Sequence, residues 1–447
     1  MTMNTSLSRR AWLGRSGRLA AAVGGGWLGR LGLLGSALAA GRGSQPGYRA
    51  LVCVYLAGGN DSFNLLVPRD SQAAGSRYDT YRLSRGGVFD SSSNPLGLAL
   101  GYGQLLDVGI PLGQTSAFGL HPQTADYAVS RNGQNYLYPG LRQLFGDGKL
   151  AFVANVGPLV EPISRTDFNA GAPRPPQLYS HNDQELLWNL GIGDNLAVTG
   201  WGGRLLDRID AGGHPSLPPC ISVAGNSRFQ IGASVFPYQM SASLGAAQLL
   251  SFDAATTLFG EQRRVALQAL LDQGSTHLLQ DEYRGTLLRS RELEQLIRTA
   301  LSSPPGQLFT PYDYAGPTAP DPGMSFYPDG NLRLFGEDYP NRLLDQLRMV
   351  ARMIRVSRDA SAGINQTRQI YYVRLGGFDT HGDQMTQQPL LLAQLSQALG
   401  WFWQALAEMG AQDEVVAFTM SEFGRTLSSN GDGSDHAWGG VQAVLGG

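Results

Sequence analysis

Four continuous apolar runs constrain this chain more than any other feature. They are Arg49 to Ala57, Leu150 to Val156, Gln369 to Leu375 and Glu414 to Thr419. Each is rich in Val, Ile, Leu or aromatic residues and too short for a buried helix, so each reads as a strand, the first as central and fully buried and the second as buried. Stretches of helical periodicity separate them. Tyr138 to Phe145, Ser180 to Asn189 and Arg204 to Ile209 read as short helices, and Pro219 to Ala224 as a further strand. Arg342 to Val356 and Pro389 to Met409 read as longer helices, and Glu261 to Ala300 as one or two. Strands alternating with helices predict an α/β fold with a mostly parallel central sheet flanked by helices. The polar stretches Ser71 to Gln114, Glu161 to Gln177 and Ser303 to Leu332 read as loops, the first as a surface excursion.

Chemistry gathers where the strands stop. Gly58-Gly59-Asn60-Asp61-Ser62 follows the first run, Gly376-Gly377-Phe378-Asp379-Thr380-His381 the third, and Ser421-Glu422-Phe423-Gly424-Arg425-Thr426 the fourth; Ser434-Asp435-His436 comes soon after. In a parallel sheet ligands bind beyond the carboxyl ends of the strands, so Asp61, Asp379, His381 and Glu422 are expected on one rim. Asp379 and His381 are two apart and share a face in extended backbone. Both then reach one metal, or one binds while the other orients a neighbour. Asp435 and His436 are adjacent and, in a bent loop, could serve two different ions. Mixed oxygen and nitrogen ligands suit zinc or manganese better than calcium. The expectation is one or two divalent ions, a pair standing about 3.5–4 Å apart to clamp both oxygens of an ester displacement.

A nucleophile is expected at Ser180, where a helix N-terminus offers unpaired N–H groups. The bland alternative is a plain N-cap. Ser62 is the second choice. Arg425 could hold an anionic oxygen or pair with Glu422, and Arg165 carries the same two readings. Of the other histidines, His121 reads as structural, His181 is open, and His214 and His277 read as surface residues.

Bulk properties exclude several partners. The 447 residues carry a formal charge of -2, with 42% hydrophobic and 16% charged residues and no basic tract in the body of the chain. A globular chain is expected, with neither nucleic acid nor anionic membrane as partner. Cys53 and Cys220 make no disulfide framework, and Cys53 reads as a small buried hydrophobe.

The N-terminus reads as an address. Ser8-Arg9-Arg10-Ala11-Trp12-Leu13 precedes a Gly- and Ala-rich apolar stretch that closes at Ala37-Leu38-Ala39. This resembles a twin-arginine export signal over residues 1–40, handled by the twin-arginine export machinery into the periplasm or beyond. Arg30 argues against a stable membrane span, since a charge at mid-bilayer costs roughly 2.5–3.5 kcal/mol.

Taken in order, the leader, Leu56 to Asn64, Ala154-Asn155-Val156-Gly157, Ser180 to Gln184, Gly376 to His381, Ser421 to Thr426 and Ser434-Asp435-His436 resemble an exported bacterial domain-of-unknown-function family, number fifteen-oh-one. That family in turn resembles the alkaline phosphatase and sulfatase superfamily. The resemblance implies a single domain over residues 41–447 with a helical insertion at about 240–340. It implies hydrolysis of a small anionic phosphate or sulfate ester. Asp61 would be the first-strand metal carboxylate and Ser180 the hydroxyl at a helix start. Asp379 with His381 would ligate one metal, and Asp435-His436 the other, with Glu422 competing for Asp435's role. A rival implication is a non-catalytic envelope protein on the same scaffold. The superfamily pattern supplies a later histidine, which nothing after His436 provides. Val444-Leu445-Gly446-Gly447 reads as mid-strand, so the expectation is a domain lacking its C-terminal part and leaving a sheet edge open.

Overall fold

The computed structural model describes residues 47–108, 118–131, 134–192, 198–209, 217–242, 260–274, 276–302, 341–359, 364 and 366–446. Contacts divide the chain into Gly47–Asp207 with Ala211–Gly447, and Met1–Pro46 with Arg208–Asp210. Everything below concerns the first unit. The expected leader and the expected loop from Ser303 to Leu332 lie outside the described residues.

Seven strands form the central sheet: β1 (Arg49–Ala57), β2 (Leu150–Val156), β3 (Cys220–Ser222), β4 (Tyr238–Gln239), β5 (Arg368–Gly376), β6 (Val415–Met420) and β7 (Gly440–Leu445). Their order is β2-β7-β6-β1-β5-β3-β4. β1 pairs in parallel with β5 and with β6, β5 with β3, and β3 with β4; β7 alone runs against its neighbours β6 and β2. The sheet is therefore mostly parallel, as the apolar runs predict.

β1 is the spine. Its even residues, Val52, Val54 and Leu56, pack into one core with Tyr371, Val373 and Leu375 of β5. The odd residues, Cys53, Tyr55 and Ala57, pack into a second core with Ile370, Tyr372 and Phe229. This is the period-two alternation of a strand covered on both faces. Helix α4 (Arg342–Arg358) and helix α5 (Gln384–Glu408) cover the first face. Asn341 caps α4 by accepting from the Leu344 N–H at 3.1 Å, while Arg355 and Arg358 lie in its last turn, against the negative end of the helix. Each aliphatic side chain these helices bury contributes about 1.5–3 kcal/mol. Helix α2 (His181–Leu190) and helix α3 (Trp201–Leu206) cover the second face. Two further helices, Gly260–Asp272 and Leu278–Ser302, occupy part of the expected helical insertion.

Three expectations are corrected. β2 is a strand with the expected bounds, but among the described residues it forms a sheet edge: Val153 is 46% exposed, with Ala154 and Asn155 also open. An apolar run does not say whether its strand has one neighbour or two. The Ser71–Gln114 stretch is not a mere surface excursion. It contains helix α1 (Arg77–Ser84) and buries Tyr78, Tyr81, Ala99, Leu100 and Leu105 around Val67. α5 begins at Gln384, ahead of Pro389, so the proline lies inside the helix rather than at its start. Both cysteines are free and buried, on strands separated by β5.

Candidate metal centre

β1, β5 and β6 lie side by side and end together, at Ala57, Gly376 and Met420. The loops leaving them build the site. Gly58 and Gly59 have φ of +120° and +79°, and a Cβ on either would strike the Asp379 backbone or the Phe423 ring at 2.3 Å. Only glycine allows the first loop to pass this closely beneath the other two.

Asp379 is the centre of convergence. The His181 Nε2 lies 3.4 Å from Asp379 Oδ2, and the Nε2 atoms of His436 and His381 lie 3.1 and 3.2 Å from Asp379 Oδ1. The ligand atoms of His181, Asp379 and His436 all lie within 4.8 Å of one another. Ligands around a tetrahedral ion at about 2.1 Å stand about 3.4 Å apart, so the spacing suits a common centre. Phe423 floors the group, its ring 4.8 Å from that of His181 and 4.3 Å from that of His436.

Each imidazole is held from behind. His181 Nδ1 meets the Glu422 carboxylate at 2.8 Å, His436 Nδ1 the Tyr179 carbonyl at 2.8 Å, and His381 Nδ1 the Asp435 carboxylate at 3.2 Å. Those oxygens accept, so each Nδ1 carries a proton and each Nε2 is directed at Asp379. Carboxylate or carbonyl behind a histidine is the arrangement that fixes metal-ligating tautomers. Yet the Nε2 atoms of His381 and His436 are only 2.8 Å apart. Two Nε2 atoms at that distance repel unless a proton or a cation lies between them.

The carboxylates thus divide into two layers. Glu422, expected as a ligand, is buried and stands behind His181; it also accepts from the Gly58 N–H at 2.7 Å and the Tyr55 hydroxyl at 3.1 Å. Burial and the neighbouring Glu422 push the Tyr55 phenol well up, so it stays a donor. Asp435, also expected as a ligand, stands behind His381; a hydrogen bond from Asn430 at 2.8 Å, then His381, holds its carboxyl below the usual range. Burial acts to raise the Asp379 carboxyl, but hydrogen bonds from Arg425 and His436 outweigh it and hold the group below its ordinary value.

Asp61 is placed apart from this group. Both its oxygens take the Arg85 guanidinium, at 2.5 and 2.7 Å, and Gln384 adds a further hydrogen bond. Both side chains of the pair are 0% exposed. A guanidinium therefore stands where the sequence led one to expect an ion. Arg425, expected to grip substrate, is a buried clamp: it donates to the carbonyls of Gly59, Ser434 and Gly58 and to Asp379. Ser180 does occupy the N-cap of α2, but its hydroxyl donates to Asp183 Oδ2 at 2.6 Å rather than to a backbone N–H.

Residues 348–447 match the family described as "Protein of unknown function (DUF1501)". That segment carries Asp379, His381, Glu422, Arg425, Asp435 and His436, while Asp61, Arg85 and His181 lie outside it. No curated protein and no solved structure matches the chain.

Two participants were not singled out by the sequence, and a third was left open. Arg85 sits in a stretch read as surface, and nothing local marks its pairing with Asp61. His181 was left open, although its place one residue after an N-cap serine was a usable signal. Tyr179 enters through its backbone. Its φ of +71°, with +49° at Gln177, is rare for side chains of this size, and it aims the carbonyl at His436. His121, by contrast, is buried away from solvent; its Nδ1 accepts from the Gln123 N–H at 3.1 Å, and burial lowers its pKa to about 3. No helix among the described residues is long and apolar enough to cross a membrane.

Proposed function

We propose that His181, Asp379 and His436, with His381 alongside, hold a divalent ion, and that the protein is an exported metal-dependent hydrolase of phosphate or sulfate esters. The observation that carries this reading is the pair of Nε2 atoms facing each other at 2.8 Å beside Asp379, with both Nδ1 protons engaged elsewhere. A cation relieves that repulsion, and a set of imidazole nitrogens with one carboxylate suits zinc or manganese. The ion would supply Lewis acidity toward an ester oxygen. The motif order that resembles the alkaline phosphatase and sulfatase superfamily supports the ester class, and the twin-arginine pattern supports export.

The chain's own residues divide the remaining work. Ser180 lies between Tyr179, whose carbonyl holds His436, and His181. In this reading its Oγ attacks phosphorus or sulfur, Asp183 accepts the proton through the bond already present, and the alcohol departs with a proton from solvent; water then attacks the seryl ester, breaking its bond to Oγ, while Asp183 returns the proton to Oγ and the water's proton passes to solvent. Glu422 and Asp435 keep two of the imidazoles aimed, and Arg425 keeps Asp379 in place. A second reading, binding without turnover, draws support from one observation: both groups expected to handle substrate, Ser180 and Arg425, are engaged inside the protein.

Metal analysis after periplasmic export tests the first reading. About one equivalent of zinc or manganese is expected, and less than about a tenth would count against the site. Turnover of nitrophenyl phosphate or sulfate should vanish in Ser180→Ala while metal stays bound. Unchanged turnover removes that serine from the mechanism, and bound metal with no turnover across a broad ester panel favours the second reading.

A further inference from the structure

Because Arg425 is closed off by carbonyls, an anionic substrate needs a cation from elsewhere. Trp438 lies two residues beyond His436 of the histidine cluster. Its indole is pinned by an Nε1–H bond to the Pro158 carbonyl at 2.7 Å. The Phe168 ring packs against it, with centroids 6.1 Å apart, and the Arg174 guanidinium lies over Phe168 at 4.6 Å. Arg174 is exposed and makes no hydrogen bond or ion pair among the described residues. Stacking engages the face of a guanidinium and leaves its N–H edge free for a planar acid. Leu159 and Val160, next to Pro158, are exposed and extend the apolar wall.

We propose that Trp438, Phe168 and Arg174 form a subsite for the organic part of the ester, and that this part is a flat ring bearing its own carboxylate or comparable acid. The ring lies against Trp438 and Phe168, and its acid group meets the outer edge of Arg174. The ester group then reaches Asp379 and the histidines next door. The assignment of the bound molecule as an ester rests on the hydrolase reading above; the ring-and-acid specificity of the subsite does not.

Calorimetry on the zinc-loaded full chain tests it with three inert anions: methylphosphonate, phenylphosphonate and 4-carboxyphenylphosphonate. The ring is expected to tighten binding about fivefold, and the carboxylate about tenfold more. Trp438→Ala should remove the ring gain, and Arg174→Ala the carboxylate gain, with methylphosphonate affinity and metal content unchanged in both. Equal ratios in wild type and Arg174→Ala would overturn the proposal. Saturation transfer from the chelator-treated protein to benzoate reads the subsite without the metal. A signal that Arg174→Ala abolishes supports the subsite even if metal analysis has refuted the metal centre, and wild-type protein that transfers nothing to benzoate and has no ring preference sinks it.

Discussion

Two aspartates follow neighbouring parallel strands onto the same rim, and the protein treats them in opposite ways. Asp61, after β1, is 0% exposed and bound on both oxygens by Arg85. Asp379, after β5, is 47% exposed and faces the Nε2 atoms of three imidazoles. One carboxylate has its cation built into the chain; the other, in the reading proposed, shares one from outside. Similar motifs at similar places in a sheet thus acquire different chemistry from what distant segments bring to them. α1 delivers Arg85 to the first, and α2 delivers His181 to the second.

The sharpest way to break this contrast is to remove the internal cation. Arg85→Ala leaves a buried, unpaired carboxylate and is expected to destabilise the fold by about 3–5 kcal/mol, read by urea denaturation. Asp61→Asn combined with Arg85→Met should recover much of that loss. If Arg85→Ala is as stable as wild type, the pair is not the closed unit described. The corresponding change at the open carboxylate acts on ligand rather than fold. His181→Ala or His436→Ala should weaken zinc binding by more than about a hundredfold, beyond the range for an outer partner, with the melting temperature of the metal-free chain nearly unchanged.

Much of this arrangement was legible in advance, and the reasons for success and failure are physical. The apolar run from Arg49 to Ala57 has the composition of a doubly covered strand, and the structure has it with those bounds. Placement of Asp379 and His381 beyond a strand end followed from parallel-sheet geometry alone. Which acid faces the imidazole Nε2 atoms and which stands behind a histidine was not legible. Glu422 and Asp435 are acids near strand ends like Asp379, and only the packed imidazoles distinguish them. Arg85 was lost because its partner lies in another element, inside a stretch whose polar composition masks a small aromatic core. The start of α5 was misread at Pro389, and with it the role of Gln384 and Gln388, one turn apart, which bond the Asp61 side chain and its carbonyl.

Smaller effects sharpen the division between the layers. Glu422→Gln keeps the volume but weakens the carboxylate's hold on the His181 tautomer. A tenfold to roughly hundredfold loss of zinc affinity is expected, with Asp435→Asn at the lower end because that carboxylate is exposed. Equal losses from the two would remove the distinction between a buried and an exposed support. The smallest effect is on pH dependence. The Asp379 carboxyl sits below its ordinary 3.8 in the fold, so in the metal-free chain its contribution is present above that value and is lost as pH falls through the folded value. Half-exposed and screened, it is worth under about 1 kcal/mol. Asp379→Asn should flatten that part of the acid denaturation profile, and an unchanged profile would deny Asp379 its ionic partners.

Anomalous diffraction from zinc-loaded protein tests the central claim most directly. The account predicts a peak about 2.0–2.2 Å from the Nε2 atoms of His181 and His436 and from an Asp379 oxygen, with Arg85 still on Asp61. A peak on Asp61 with Arg85 displaced, or none beside Asp379, would contradict it.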